Sequence, residues 1–318
     1  MRTVSPLATC EHPHDALRAA LDFIDAGEDV ALAIVTATHG GGVRAPGAMM
    51  ASSRTGGSAG YVSGGCIDAD VRLNAIRSLQ TGQVQHLRYG SGSPFADIRL
   101  PCGGAIDVLI VPVTNAQTVS MALASLEARR PVSFAVQPSG EIAICDDPDM
   151  PAAFRTRYRP KLSLRIAGRG SDCLALARLA GASGFNIRLQ LPDQDDFDTA
   201  RSAAIGKVER LTTPSSLPAV DDDAETAFVL MFHDAHWETA LLHQALGGPA
   251  FYIGAVGSAR THAARCALLQ AASVPVADIA RIRGPIGLVP SMRDASMLAI
   301  SVLAEIVDAF HKVEPAHV

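Results

Sequence analysis

Apolar runs with no polar alternation recur along the chain, separated by small-residue turns and by stretches with a helical repeat. Residues 30–36 read Val-Ala-Leu-Ala-Ile-Val-Thr, the pattern of a strand covered on both faces. Residues 105–113, 162–167, 186–191, 226–232 and 250–255 are predicted as further strands, with residues 84–89 and a pair near 132–136 and 142–145. Helices are predicted where apolar positions recur every three or four residues. Leu17, Leu21 and Ile24 mark one over 15–26, and Ile67, Val71, Ala75 and Leu79 mark another that Gly82 stops. The repeat continues over 117–128, through Leu174, Leu176 and Leu179 up to Gly184, and over 293–310. Residues 38–50 read as one long glycine-rich loop leaving the first buried strand.

Residues 146–161 break the pattern with Pro148, Pro151 and Pro160 and little periodicity, which places a domain boundary there. The predicted fold class is α/β, with an N-terminal α/β domain over 1–150. A Rossmann-like, doubly wound parallel-sheet domain follows over 161–318. Its opening runs strand, Gly168-Arg169-Gly170-Ser171-Asp172-Cys173, helix, strand, then Asp193. This is the layout of a dinucleotide-binding unit, with Gly168 and Gly170 at the phosphate turn and Asp193 where a ribose is read. Cys173 stands where the fingerprint has its third Gly or Ala, and is small enough for the helix to pack on the strand.

Charge narrows the partners. The 318 residues carry a formal net charge of -5, which leaves no basic footprint for nucleic acid. No apolar run approaches a membrane span, and residues 1–15 lack a secretory layout, so the expectation is a cytoplasmic protein without membrane partners. The six cysteines contain no CxxC pair, which argues against a disulfide framework and a structural zinc site.

Two of those cysteines adjoin paired glycines, in Ser63-Gly64-Gly65-Cys66 and in Cys102-Gly103-Gly104. Glycine lets the backbone turn sharply and approach a ligand. Cys66 also immediately precedes a predicted helix, where free N–H groups and the positive dipole end favour an anion or thiolate. The other four cysteines read as packing residues. His39 and Arg44, flanking Gly40, Gly41 and Gly42, form a second anion candidate, since the guanidinium fork suits phosphate. His233 and His236 have metal-pair spacing without a third ligand and read as capping or packing residues, while Asp221, Asp222 and Asp223 read as a solvated loop.

Together these blocks resemble the XdhC/CoxI family, accessory proteins of xanthine dehydrogenase and related molybdenum hydroxylases. The matching segments include Gly42-Val43-Arg44-Ala45-Pro46-Gly47, Gly60-Tyr61-Val62-Ser63-Gly64-Gly65-Cys66-Ile67-Asp68, Leu100-Pro101-Cys102-Gly103-Gly104 and Gly254-Ala255-Val256-Gly257-Ser258-Ala259-Arg260-Thr261. The resemblance implies a chaperone that binds molybdenum cofactor, as molybdopterin or its cytosine dinucleotide, protects it during sulfuration and helps insert it. Cys66 would touch the molybdenum or its sulfur, with Ser63, Gly64, Gly65, Cys102, Gly103 and Gly104 nearby, and Gly41, Gly42 and Arg44 would hold the pterin phosphate. Expected partners are an apo molybdenum hydroxylase of xanthine dehydrogenase or aldehyde oxidoreductase type, a cysteine desulfurase and a second copy in a homodimer. Two alternatives stand beside it: an NAD(P)-dependent oxidoreductase using Gly168, Gly170 and Asp193, and a scaffold whose Rossmann half docks the client.

Overall fold

The computed structural model describes residues 11–40, 44–93, 103–232 and 234–313. Contacts divide the chain into two compact units, Met1–Pro160 and Lys161–Val318.

Among the described residues, the first unit is built on helix α1 (Pro13–Asp25) and strands β1 (Val30–His39), β2 (Met49–Ser53) and β3 (Ser58–Gly60), followed by helix α2 (Asp68–Thr81). Strands β4 (Gln85–Gly90) and β5 (Ala105–Pro112) and helix α3 (Ala116–Glu127) come next. β6 (Val132–Val136), β7 (Ile142–Ile144) and β8 (Phe154–Tyr158) form a separate small sheet in the order β7-β6-β8. The proline-bearing stretch read as inter-domain chain therefore holds a strand, whose Tyr158 hydroxyl donates to the Gly47 carbonyl at 3.0 Å.

The larger sheet runs β3-β2-β1-β5-β4, and every pairing in it is antiparallel. β1 is nevertheless buried on both faces, as its unbroken apolar run requires. Leu32 and Ile34 face a core shared with α1, α3 and the small sheet. Ala31, Ala33 and Val35 face α2 through Val71, Ala75 and Leu79. Two-sided burial, not strand direction, is what an apolar run records. Part of the predicted loop over 38–50 is strand, because β1 extends through His39 and β2 starts at Met49.

The second unit contains β9 (Ser163–Gly168), α4 (Gly170–Ala182), β10 (Asn186–Leu191), α5 (Gln194–Ser202), β11 (Lys207–Arg210) and β12 (Thr226–Met231). It continues through α6 (Ala235–Leu246), β13 (Tyr252–Ala255), α7 (Ala259–Ala271), α8 (Val276–Ile279), β14 (Ile282–Arg283) and α9 (Ala295–Val313). The sheet order is β11-β10-β9-β12-β13-β14, all parallel. Renumbered within the unit this is 3-2-1-4-5-6, the order of a doubly wound dinucleotide-binding fold. α4 and α9 cover one face of the sheet and α6 and α7 the other.

Asp222 is not solvated: its carboxylate accepts from Arg165 Nε at 2.9 Å and from Nη2 at 2.6 Å, and both side chains are almost fully buried. Arg165 lies in the middle of β9, stacks over the Phe228 ring at 4.0 Å and donates to Gln190 Oε1 at 3.2 Å. Asp221 holds Arg188, and Asp223 accepts the Thr226 hydroxyl. A charge inside a sheet needs such a partner, since desolvation costs several kcal/mol per ion. No described helix is long and apolar enough to cross a membrane.

Candidate functional site

The antiparallel register of the first unit brings its loops to one edge. Ile34 pairs with Met49, Met50 with Gly60, and Ala105 with both His39 and Gly90. The chain after β1, the chain after β3 and the chain between β4 and β5 therefore all leave the sheet at the same end. Gly40 and Gly104 touch there: a Cβ on Gly40 would lie 3.5 Å from the Gly104 Cα. At Gly90 (φ +88°) a Cβ would strike the Gly104 carbonyl oxygen, so only glycine lets β4 pass the end of β5.

Cys66 is delivered to this edge by a tightly specified turn. Gly60 (φ +94°) lets the chain leave β3 across the Met49 carbonyl. Val62 and Ile67 are buried in the core under α2, and the chain between them arches out to expose Cys66. Asp68, the first residue of α2, holds the arch. Its Oδ1 accepts the amides of Val62 at 2.8 Å and Ser63 at 3.2 Å, and its Oδ2 accepts the Gly65 amide at 2.7 Å and the Ser63 hydroxyl at 2.5 Å. Ser63 Oγ in turn accepts the amides of Gly65 and Ile67, both at 3.2 Å. Asp70, in the first turn of the same helix, accepts the Tyr89 hydroxyl at 2.6 Å and ties α2 to the end of β4. Burial, with Asp70 as the next cause, pushes the Tyr89 phenol far above its ordinary pKa, so it stays a donor.

These contacts refine the expected chemistry. Cys66 stands just before the N-cap Ile67, beside the helix start as predicted. The amides of Val62, Ser63 and Gly65, however, serve Asp68 and are not free for a phosphate. What the turn presents outward is a soft thiol donor beside Gly65, around whose Cβ position the space is open. Gly103 (φ +70°) is likewise open.

The anion candidates of the first loop have carboxylate partners. Arg44 Nη2 donates to Glu11 at 2.7 Å, while its buried Nε has no hydrogen-bond partner among the described residues. His39 Nε2 meets Asp107 Oδ2 at 2.9 Å, and Arg88 approaches the same carboxylate at 3.4 Å. Asp107, Asp68 and Asp70 are the residues that sequence reasoning missed. Asp107 faces Arg88 across a strand pair, and Asp68 closes a turn that starts at Ser63, five positions earlier; neither relation has a periodic signature. Gly41, Gly42 and Cys102 lie outside the described residues, as does His233. His236 donates its amide to Asp234, the N-cap of α6.

In the second unit, Gly168 lies where a Cβ would collide with Cys173 and with the Met231 carbonyl, which explains its place at the end of β9. Gly170 (φ +78°) opens α4. Between the ends of β9 and β12 lies a cavity of about 440 Å³ lined by Arg169, Asp172, Met231, Asp234 and Val256. Asp193 is present at the end of β10, paired with Arg169 at 3.4 Å.

Comparison with known proteins agrees with both halves. Residues 23–90 match the model of the XdhC and CoxI family, and residues 164–306 match that of the XdhC Rossmann domain. The molybdenum cofactor insertion chaperone PaoD of Escherichia coli is 33% identical over 299 residues, covering 91% of this chain and 86% of PaoD. The chain belongs to the XdhC/CoxI family. A crystal structure described as a xanthine dehydrogenase from Bacillus halodurans matches with a TM-score of 0.78 at 21% identity, over 95% of this chain and 98% of that one, and shows the same fold. The resemblance read from the Ser-Gly-Gly-Cys and Cys-Gly-Gly blocks and the α/β class of this XdhC/CoxI protein are thus both borne out.

Proposed function

We propose that this XdhC/CoxI protein carries molybdenum cofactor as cargo, shields it while its terminal sulfur is installed, and passes it to an apo molybdenum hydroxylase. Cys66 is the carrying group, with its thiol as the ligand to molybdenum or its sulfur. Gly65 and Gly103 leave room at the sheet edge for the pterin, and the spare Arg44 Nε offers a donor to the phosphate. The partners that fit this reading are a hydroxylase of xanthine dehydrogenase or aldehyde oxidoreductase type and a cysteine desulfurase, with the carrier acting as a homodimer and without turnover of its own.

One observation carries the reading: an exposed thiol, lifted between buried Val62 and Ile67 and held by Asp68, in a chain 33% identical to a molybdenum cofactor insertion chaperone. A buried packing cysteine needs no such arch. The test is transfer. Protein purified from a molybdate-fed host is mixed with apo-hydroxylase, and recovered activity is compared with that given by equimolar free cofactor. Faster and more complete reconstitution than free cofactor gives is expected; equal or poorer reconstitution contradicts the role.

A further inference from the structure

The second unit has the strand order, the glycine turn and the switch-point crevice of a dinucleotide-binding fold. In such a fold the diphosphate rests on the first amides of the helix after the first strand, where N–H groups and the helix dipole converge. Here that position is filled. Asp196, in the first turn of α5, turns away from its own helix and places Oδ2 2.6 Å from the Gly170 amide at the start of α4. An acid at that place in a first turn ordinarily reaches back to its own N-cap amide. The N-cap of α5 is Asp193, and its side chain also makes no cap bond. Instead it meets Arg169, which bridges from the glycine turn to the end of β10 and lies 5.4 Å over the Phe232 ring at the end of β12. The seat of the diphosphate and the acid that reads a ribose are thus both engaged by the chain itself. Asp172 in the first turn of α4 and Asp234 at the cavity wall add negative charge on the same side.

We propose that Asp196 is a specificity-determining residue: its carboxylate stands in for a diphosphate at the start of α4 and keeps the unit from taking NAD or NADP. A second anion at Gly170 would meet a like charge at hydrogen-bonding distance and would find its donor taken. The Arg169–Asp193 pair is half-exposed and weak, so it yields easily; the Asp196 contact is partly buried and is the element that decides. This inference does not depend on the cofactor role of the first unit, which uses other residues.

The experiment is calorimetry on the full chain with NAD, NADP and ADP-ribose at millimolar concentration, using wild type, Asp196→Ala and Asp196→Asn. Asp196→Asn keeps the shape and an acceptor for the Gly170 amide, so it removes the charge with little loss of the tether between α4 and α5. Thermal unfolding confirms that each variant is folded. The wild type is expected to give no binding heat. Asp196→Ala should bind ADP-ribose at least about tenfold more tightly than the millimolar limit set by the silent wild type, and Asp196→Asn should fall between the two. Binding of any of the three ligands by wild type, no binding by the folded variants, or failure of both variants to fold would each overturn the proposal.

Discussion

Asp68 and Ser63 are locked side chain to side chain at 2.5 Å across the turn that presents Cys66. The same carboxylate takes the backbone amides of Val62, Ser63 and Gly65, so the conformation of the thiol-bearing arch depends on one side chain. Asp68→Ala removes four acceptor contacts and leaves the buried Ser63 hydroxyl and neighbouring amides unsatisfied. A loss of about 2–4 kcal/mol is expected, from one or two buried polar groups left unpaired. Urea unfolding followed by circular dichroism measures it, and Asp68→Asn, which keeps part of the acceptor set, should lose less.

Cysteine labelling should separate the exposed thiol from the packed one. Burial pushes the Cys173 thiol well above its ordinary pKa, with Asp196 and Asp172 adding to the effect, and its side chain fills the space under Gly168. Iodoacetamide at neutral pH should modify Cys66 in the native protein and leave Cys173 unmodified until denaturant is added, as peptide mass spectrometry would show.

The buried pair in β9 gives a stability prediction for the second unit. Asp222→Ala leaves the buried Arg165 guanidinium without its hydrogen-bonded carboxylate, with Gln190 and the Phe228 ring still in contact and Glu209 and Arg188 acting on it through space. Removing one partner of a buried pair costs about 3–5 kcal/mol. The transition should shift by that amount in a denaturant titration, and Asp221→Ala, at an exposed partner of Arg188, should shift it far less.

Glu209 sets an acid limit. Burial would raise its carboxyl, but hydrogen bonds from Arg188, Lys207 and Gln190 outweigh this and hold it at about 2, below the ordinary 4.5. Because the folded value is the lower one, its contribution is fully present above pH 4.5 and is lost as pH falls from there toward 2. Stability measured across that window should fall less steeply in Glu209→Gln than in wild type.

Much of the fold was legible because long apolar runs and four-residue repeats report burial directly. β1, β5, β9, β10, β12 and β13 and helices α1 to α4 lie close to their expected places. Strand direction was not legible, since β1 would show the same run in a parallel sheet. β2, β3 and β8 are short and flanked by turns or prolines, so they carry too few positions for a pattern. At the candidate site, Cys66 stood out through its glycines. Its supporting acid did not, because a carboxylate that caps a turn looks in sequence like any helix-starting Asp. Asp222 misled for the opposite reason: its partner Arg165 is 57 residues away, in a predicted strand that nothing local links to residues 221–223. Asp196, beside Asp195 at a helix start, reads as an ordinary first-turn acid until α4 is placed next to it.

The exposed thiol of Cys66 is proposed to hold molybdenum cofactor. It is tested most directly by molybdenum analysis, with mass spectrometry of the bound pterin, on wild type and Cys66→Ala purified side by side from a molybdate-fed host. Cys66 is exposed, so the variant should fold and unfold like wild type. Wild type should retain cofactor and Cys66→Ala should carry at least about tenfold less molybdenum, which requires binding weaker by at least about 1.4 kcal/mol. Equal molybdenum content in the two proteins would contradict it.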